Sequence, residues 1–464
     1  MWNKFKETFI GDKDFYKRIL FLAFPMIIQN AITSFVSFLD NIMVGQIGTE
    51  QMSGVAIVNQ LLFVFNICIF GGVSGAGIFG TQFYGKGDYE GQKYTFRFKL
   101  YISTVISCIA ILLFHFWGTE LVSLYLNDTG TEVDVALVLQ YGLEYLSIMI
   151  LSLIPFGICQ AYVSTIRETG QTLVPMIATG VAVFTNLVLD YILIFGMGPI
   201  PAMGVSGAAT ATVIARIIEC IIVVVWTHCK KKKNPYIVGA YSGFRIPKGI
   251  CKDVFIKGTP LMLNEMFWAA GMAMIAQCYS VRGPEVVAAQ SISSTITNLF
   301  NIVYIQLGCC ISIVVGQLLG AGKLKEAKTT AIKMMFFCVS CCVVVAATMA
   351  VVGGYFPDIY KTTDSIKALA TSFILIGALV MPLCAFSHSA YFTLRSGGKT
   401  IITFLFDSVY TWVLVVPFAY VLANYTTLNI LTIVFLVQFT EIIKVIIGFF
   451  MVKSGIWIQN IVSS

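Results

Sequence analysis

The chain has 464 residues, of which 58% are hydrophobic and 11% charged, and its formal net charge is +7. Soluble domains carry about 25% charged residues, so this composition, with a mean hydropathy of +0.85, excludes an ordinary soluble domain. Apolar stretches long enough to cross a hydrocarbon core of about 30 Å as a helix recur along the whole chain. The stretches are continuous, whereas the strands of a membrane barrel alternate between apolar and polar residues.

The sequence therefore predicts an all-α polytopic membrane protein with twelve transmembrane helices. Polar breaks or breaks with Gly and Pro separate them, as in "GMGPIPAMG". The predicted helices cover residues 19–44, 54–83, 97–118, 136–166, 172–196, 204–228, 253–281, 287–318, 327–353, 367–394, 399–424 and 428–452. Residues 1–18 are expected to form a cytoplasmic segment at the membrane surface. They do not resemble a cleaved signal peptide, because the apolar run that follows them is too long.

Basic residues predict the orientation of the helices. Of the 30 Lys and Arg residues, 25 fall in the N-terminus, in alternate loops and in the C-terminus. Arg282, Lys361 and Lys367 fall in the opposite loops, and Arg216 and Lys444 lie within predicted helices. The positive-inside rule then places both termini in the cytoplasm. The positive charge indicates topology rather than nucleic-acid binding, so no nucleic-acid partner is expected.

The strongest basic cluster, "CKKKKNPYIVGAYSGFRIPKG", follows residue 228 near the middle of the chain. We interpret residues 229–252 as a basic cytoplasmic linker that faces the lipid headgroups. It would join an amino-terminal lobe of six helices, residues 19–228, to a carboxy-terminal lobe of six helices, residues 253–464.

The two lobes repeat each other in sequence. A shift of 235 positions aligns residues 25–95 with 260–330 without a gap and gives thirteen identities. Those that composition bias explains least are Pro25/Pro260, Gly48/Gly283, Asn66/Asn301, Gln82/Gln317, Gly85/Gly320 and Gly87/Gly322. Farther on, a shift of 228 pairs Arg167 with Arg395 and Arg216 with Lys444. Each half has six helices, an even number, so the two halves enter the membrane in the same orientation. They are expected to be related by a pseudo-two-fold axis along the membrane normal. Transporters with such repeats place their substrate path between them.

Cysteine and histidine give no sign of an enzyme. The 13 cysteines scatter mostly through predicted helices, and His115, His228 and His388 lie far apart. The C-x-x-C of "CVSCC" lies in an apolar helix without a partner pair, so we interpret it as packing. The sequence has no haem pair, zinc quartet or nucleophile elbow. We therefore expect neither an enzyme nor a cofactor, apart from a coupling ion.

Several stretches resemble the multidrug and toxic compound extrusion (MATE) family. "FPMIIQNAITSFVSFLDNIMVGQIG" and "SGVAIVNQLLF" resemble its first two helices, with a Pro and then an Asp just before V-G-x-[IL]-G. "NLVLDYILIFG" and "MGVSGAATATVIAR" resemble its fifth and sixth helices, and "ATSFILIGALVMPLCAFSHSAYFTLRSGGKT" its tenth. The resemblance covers nearly the whole chain. It implies a drug exporter, and it makes Asp40, Asn186 and Asp190 members of one cation-binding cluster.

Asp190 lies inside an apolar run that holds no other charge, and an intramembrane carboxylate by default marks an ion or proton path. Asn186 precedes it by one turn and shares its face. A carboxylate and an amide oxygen suit a proton or a small hard cation; the alternative is an interhelical hydrogen bond that only fixes packing. Asp40 lies at a similar depth, and H⁺ or Na⁺ would relieve the repulsion between the two carboxylates. If Na⁺ is the coupling ion, all three residues would be metal ligands.

Glu265 is a second candidate, in the seventh predicted helix after Pro260. Trp268 lies one turn away on nearly the same face and offers a cation–π surface beside a carboxylate. This pairing suits a lipophilic organic cation, and the resemblance supports it, since some MATE proteins use a Glu in this helix. The alternative is that Glu265 makes a polar contact that closes an inner gate.

The remaining ionisable groups inside predicted helices show weaker patterns. Arg216 and Glu219, three residues apart, are predicted to pair on one helix, and Glu441 and Lys444 on another.

Three further groups have no predicted pair. Asp407 fits either a structural or a functional role. Glu144, near an outer helix end, is expected to be solvated. His388 is expected to be a satisfied core histidine rather than a titrating group.

Together these features predict a secondary active antiporter of the cytoplasmic membrane. It would export diverse, mostly cationic amphipathic compounds in exchange for H⁺ or Na⁺, by alternating access of the two lobes. Its expected partners are small organic cations and the lipid bilayer, and it is expected to act as a monomer. The alternative is a flippase for lipid-linked saccharides on the same fold, for which more Arg and Lys would be expected in the cavity.

Overall fold

The computed structural model describes residues 2–126, 134–243 and 245–463. Residues 1, 127–133, 244 and 464, which belong to the segments and lobes predicted above, lie outside the described residues. Within the described residues the chain forms helices and no strand, apart from one isolated bridge between Met197 and Ile200. Twelve long helices follow in chain order: α1 (Lys13–Gly45), α2 (Thr49–Lys86), α3 (Tyr89–Ser123), α4 (Val135–Glu168), α5 (Leu173–Phe195), α6 (Gly204–Cys229), α7 (Lys248–Ser280), α8 (Pro284–Gly320), α9 (Leu324–Gly353), α10 (Asp364–Ser396), α11 (Thr400–Tyr425) and α12 (Ile430–Ser454).

The prediction of an all-α protein with twelve long helices is confirmed. Eleven of them are long and apolar enough to cross a membrane, whereas α7 is as long but less apolar. Most helices begin or end several residues beyond the predicted segments; α1, for example, begins at Lys13 rather than at residue 19. The difference arises because hydropathy detects only the apolar part of a helix, and the polar flanks continue the same backbone hydrogen bonding.

Several helices depart from regular α geometry. Pro25 lies inside α1, and its repeat partner Pro260 lies inside α7. A short 3₁₀ turn, Ile150–Ser152, interrupts α4, and two π-helical stretches, Leu405–Val409 and Thr411–Val415, interrupt α11. Neighbouring helices and side chains can satisfy the backbone groups that such breaks release.

The chain divides into two compact units. The carboxy-terminal unit contains the chain up to Ile27, the segment Thr81–Gly87 and the chain from Ile256 onward. The amino-terminal unit contains Ile28–Gly80 and Asp88–Phe255. These boundaries differ from the lobes expected from the sequence, because the first part of α1 and the end of α2 belong to the carboxy-terminal unit.

Each unit has its own apolar core. In the amino-terminal unit the largest core includes the fully buried Val58 and Leu153. In the carboxy-terminal unit it includes the fully buried Ile311 and Leu319. The short helix Trp2–Phe9 belongs to the carboxy-terminal unit, where the rings of Phe9 and Phe336 lie 5.5 Å apart.

The basic linker is folded against the amino-terminal unit. The guanidinium of Arg97 on α3 donates to the carbonyl oxygens of Ala240, Gly239 and Arg245, at 2.7, 2.8 and 3.0 Å. Tyr236 is fully buried, whereas the four lysines at 230–233 are exposed. The backbone of the linker is therefore held in place by hydrogen bonds, while its four lysine side chains are exposed.

Candidate cation and substrate sites

The structure brings Asp40, Asn186 and Asp190 together inside the amino-terminal unit. Asp40 lies on α1, and the other two lie one turn apart on α5. The two carboxyl groups interact with each other, and Asp190 also interacts with Asn186. Asp190 is 1% exposed. Among the described residues, neither of its oxygens nor Oδ1 of Asp40 has a hydrogen-bond partner of good geometry.

This arrangement suits the transient binding of a small cation. Buried polar atoms normally have hydrogen-bond partners, and a buried charge without a counter-ion is costly. A proton held between the carboxyl groups would remove that cost, and so would a hard monovalent cation bound by oxygen atoms. Within the described ranges, no cluster of three or more His, Cys, Asp and Glu residues could hold a metal ion. The side chains that would hold a Na⁺ ion here are the two carboxylates and, through its amide oxygen, Asn186.

Tyr145 lies close to the carboxyl pair. Tyr145, on α4, is buried and interacts electrostatically with Asp40, Asp190 and Arg216. Arg216 donates to Ser152 Oγ at 3.0 Å. No sequence pattern singles out Tyr145, because the chain has 20 tyrosines. The structure thus adds the hydroxyl group of Tyr145 to the surroundings of the predicted site, and this group in turn interacts with Arg216.

A second polar chain in the same unit contradicts one predicted ion pair. Glu219 accepts a hydrogen bond from Thr179 Oγ1 at 2.5 Å, and Thr179 accepts one from Gln29 Nε2 at 2.7 Å. Gln29 Oε1 in turn accepts a bond from Arg167 at 2.6 Å. Arg216 and Glu219 interact electrostatically. The predicted direct pair is wrong, because no ion pair within 4.0 Å joins them in the described part of the chain. Each side chain instead contacts a hydroxyl group on a neighbouring helix.

The carboxy-terminal unit contains a polar network centred on Asp407. Lys444 Nζ lies 2.5 Å from Asp407 Oδ1 and 4.0 Å from Glu441 Oε1. Asn264, which is 2% exposed, donates to Asp407 Oδ2 at 3.0 Å, and Ser408 donates to Asn264 Oδ1 at 2.8 Å. The predicted pair of Glu441 and Lys444 is confirmed, but Asp407 is the closer partner. Asp407 therefore has a built-in counter-ion, unlike Asp190.

The same contact occurs in both units at repeat-related positions. Gln29 Nε2 donates to Thr179 Oγ1, and Asn264 Nδ2 donates to Asp407 Oδ2. Shifts of 235 and 228 positions, the same shifts that align the two halves, relate these two pairs. Sequence identity does not reveal the equivalence, because all four residue types differ.

Glu265 and Trp268 lie on α7 in different surroundings. Glu265 Oε1 is 4.0 Å from Arg395 NH1, and its side chain is 23% exposed. Trp268 is 37% exposed. An organic cation that binds Glu265 would have to compete with the guanidinium of Arg395. Because Trp268 is partly exposed, its aromatic face is accessible to a ligand without a rearrangement of the surrounding side chains.

The other titratable residues have structural partners. His388 Nδ1 lies 3.1 Å from the Cys384 carbonyl oxygen, and its ring lies 4.8 Å from that of Tyr304, as in a satisfied core histidine. Glu144 is half-buried and accepts a hydrogen bond from the Ser206 hydroxyl, so it is not simply solvated as expected.

A buried ion pair of the amino-terminal unit was not predicted. Lys99 on α3 is fully buried and pairs with Glu168 at the end of α4, which is 4% exposed. Lys99 also donates to Thr165 Oγ1 at 3.0 Å. The sequence assigns Lys99 to the basic residues of the cytoplasmic side, because Lys99 lies close to the polar start of α3. That assignment gives no reason to expect a buried partner.

These features define a class of protein: a polytopic helical membrane protein built from a duplicated six-helix repeat, with ionisable groups buried in each unit. The MatE family model matches residues 25–192 and again residues 260–421. The chain therefore belongs to the MatE family, as its sequence motifs indicated. The two matches begin 235 positions apart, which confirms the internal duplication.

Curated relatives and solved structures agree with this assignment. The chain is 23% identical over 426 residues to "Probable multidrug resistance protein NorM" of Thermotoga maritima, with 89% of this chain and 87% of that protein covered. It is 23% identical over 420 residues to the protein of the same name from Bacillus subtilis, with 89% and 90% covered. A structure described as the outward-facing conformation of a multidrug resistance MATE family transporter has a TM-score of 0.85 at 19% identity, with 96% and 97% covered.

A mutant of the Vibrio cholerae MATE transporter VcmN also has a TM-score of 0.85, at 16% identity, with 96% of this chain and 98% of that chain covered. These structural similarities establish the fold.

Proposed function

We propose that this protein is a secondary active antiporter that exports mostly cationic amphipathic compounds in exchange for H⁺ or Na⁺. The observation that carries the proposal is the pair of carboxyl groups of Asp40 and Asp190, three of whose four oxygens are buried without a hydrogen-bond partner of good geometry among the described residues. Family membership and relatives named as multidrug resistance proteins support the export of drug-like compounds.

The cation site would couple ion entry to export. Binding of H⁺ or Na⁺ to Asp40, Asn186 and Asp190 would neutralise the pair and favour a different arrangement of the two units. One elementary charge that crosses the membrane is worth about 2.3 kcal/mol per 100 mV, or roughly forty-fold in an equilibrium. Exchange of this kind alternates the access of the substrate site between the two sides.

The substrate site would involve Glu265 and Trp268 in the carboxy-terminal unit. Glu265 offers a carboxylate whose own counter-ion, Arg395, lies 4.0 Å away, at the outer limit of an ion pair. Trp268 adds an accessible aromatic face for a lipophilic cation. We further propose that the protein is a monomer in the cytoplasmic membrane with both termini in the cytoplasm.

The alternative, a lipid-linked saccharide flippase, would need buried cations that are free to bind phosphate groups. Of the buried cations, Lys99, Arg395 and Lys444 face carboxylates. The charges of Lys99 and Lys444 are compensated by these close contacts, whereas Arg395 lies 4.0 Å from its carboxylate. Two compensated lysines favour the export of cations over the transfer of an anionic lipid.

The direct test is transport in proteoliposomes with ethidium as the cationic substrate, the pH and Na⁺ gradients being imposed separately. We expect one gradient to drive ethidium uphill. Asp190→Asn should abolish this coupled transport while the protein still folds, because the amide is nearly isosteric with the carboxyl group.

Asp358→Asn is the matched control, because Asp358 is exposed and 3.7 Å from its only ion-pair partner in the described residues, Lys367. The control should transport normally. Full ethidium transport by well-folded Asp190→Asn protein would refute the assignment of the cation site, and the absence of transport under either gradient in the wild-type protein would refute antiport.

A further inference from the structure

The end of α2 packs closely against the end of α8 at repeat-related positions. A Cβ atom added at Gly85 would lie 2.0 Å from the carbonyl oxygen of Gln317, and one added at Gly320 would lie 1.9 Å from that of Gln82. A shift of 235 positions relates Gln82 to Gln317 and Gly85 to Gly320. The two helix ends therefore cross symmetrically, and only glycine permits this approach of the two backbones.

The segment after α12, residues 455–463, binds this crossing. Gln82 Oε1 accepts a hydrogen bond from the amide of Ile461 at 2.9 Å, and Lys86 Nζ donates to the carbonyl oxygen of Val462 at 2.7 Å. Asn460 Nδ2 donates to the carbonyl oxygen of Gly320 at 3.1 Å. The segment thus contacts both α2 and α8 through its backbone and one side chain.

The same segment is also attached to the end of α10. Gln82 Nε2 donates to the carbonyl oxygen of Ser396 at 2.9 Å and to that of Gln459 at 3.3 Å. A Cβ atom at Gly397 would lie 1.7 Å from the carbonyl oxygen of Trp457, whose side chain is fully buried. One glutamine side chain therefore joins α2, α10 and the carboxy-terminal segment.

The boundary between the two units crosses α2, so the contacts at the end of this helix bear on how the units can move. Thr81–Gly87, the end of α2, belongs to the carboxy-terminal unit, but the rest of α2 up to Gly80 belongs to the amino-terminal unit. If the two units move apart at the end of α2, one of two things must happen. Either α2 bends near Gly80, or its end detaches from α8 and from residues 455–463.

We propose that residues 455–463 are a latch that holds the end of α2 to α8 and α10 and that releases it during each transport cycle. This inference rests on the proposed alternating access. All helices that end here have even numbers, so the latch lies on the side of the C-terminus, where the basic residues place the cytoplasm. The latch would therefore stabilise the state that is closed on that side.

The test uses the full-length protein in proteoliposomes with three variants. Gln82→Met removes two hydrogen bonds to the latch and one to the end of α10. Lys86→Met removes one hydrogen bond to the latch, at a position that is exposed to solvent and so is less able to disturb folding. Lys325→Met, at an exposed position on α9, is the matched control for loss of a lysine.

Three quantities are measured. They are the amide hydrogen exchange of residues 455–463, the apparent affinity for ethidium on the side of the C-terminus, and the apparent affinity for the driving ion on the opposite side. One hydrogen bond is worth about 1 kcal/mol, or roughly five-fold. Lys86→Met should speed the exchange of the segment by about that factor, and Gln82→Met by more.

A weaker latch should shift the population toward the state that is open on the side of the C-terminus. It should therefore raise the affinity for ethidium on that side and lower the affinity for the driving ion on the opposite side. The control should change neither the exchange of the segment nor the two affinities. Faster exchange with both affinities unchanged would show a passive brace and overturn the latch, as would exchange equal to that of the wild-type protein. Failure of the antiport proposal would look different, since wild-type protein would then show no gradient-driven ethidium transport.

Discussion

Individual buried carboxyl groups differ in whether the fold supplies a counter-ion. Asp407 and Glu168 each contact a buried lysine. Asp40 and Asp190 instead interact with each other, and in the described part of the chain neither forms an ion pair with a lysine or an arginine. An ionised group without a partner is the one that gains most from binding a proton or a cation. This contrast is why we assign ion coupling to the amino-terminal unit.

The two candidate sites should fail in different ways when mutated. Asp40→Asn should remove the effect of the driving ion on ethidium affinity, because the charge that the ion neutralises is gone. Glu265→Gln should weaken ethidium binding by about 1–3 kcal/mol, the usual loss for a hydrogen bond to a charged group, and should affect a neutral compound less. The measurement is the affinity for one cationic and one neutral compound, each with and without saturating ion.

Glu326→Gln provides the control for loss of a carboxylate, because Glu326 lies in an exposed ion pair with Lys323. If Glu265→Gln weakens both compounds equally and also removes the ion effect, Glu265 belongs to the coupling site and the division of roles between the units is wrong.

Among pairs of elements, α3 and α4 are joined by the buried ion pair of Lys99 and Glu168. A Cβ atom added at Gly80 of α2 would lie too close to Glu168 Oε2, so three helices meet at this carboxylate. Removal of one partner of a buried pair is expensive, because it leaves the other charge without compensation. An exposed pair contributes little, since water already solvates both charges.

Lys99→Met should therefore destabilise the protein by about 3–5 kcal/mol, seen as a lower thermal midpoint in detergent. Lys323→Met, which breaks an exposed pair whose side chains are 60% and 54% accessible, should cost about 0–1 kcal/mol. The double variant Lys99→Met/Glu168→Gln should recover part of the loss, because it removes both charges. Equal effects of the two single lysine variants would contradict a structural role for the buried pair.

At the scale of the whole molecule, an even number of membrane crossings is expected to place the two ends of this chain on the same side of the membrane. The distribution of Lys and Arg favours the cytoplasm for that side. Attachment of residues 460–462 to the ends of α2 and α8 is consistent with this topology, because even-numbered helices end on the same side as α12.

An epitope tag at either terminus should be inaccessible to antibody in intact cells and should become accessible after permeabilisation. A tag inserted after Lys361, in the connection between α9 and α10, should be accessible in intact cells. Surface labelling of a terminal tag in intact cells would reverse the orientation and place the proposed latch on the outer side.

The sequence by itself determined the class of fold. Long apolar runs must form helices that satisfy their own backbone hydrogen bonds in lipid, and a repeat shows itself in aligned Pro, Gly and Gln residues. Asp40, Asn186 and Asp190 could be singled out because polar residues in such runs are costly and motifs flank them. Their proximity followed from the family resemblance rather than from spacing.

Only the tertiary structure decided which polar groups meet. Lys99 with Glu168, Lys444 with Asp407, and Gln82 with the carboxy-terminal segment are contacts between residues 69, 37 and more than 300 positions apart. The wrong prediction of an Arg216–Glu219 pair has the same origin. Sequence spacing fixes which side chains share a helix face, but in a packed interior a polar group takes its partner from the neighbouring helix, and the fold alone sets that neighbour.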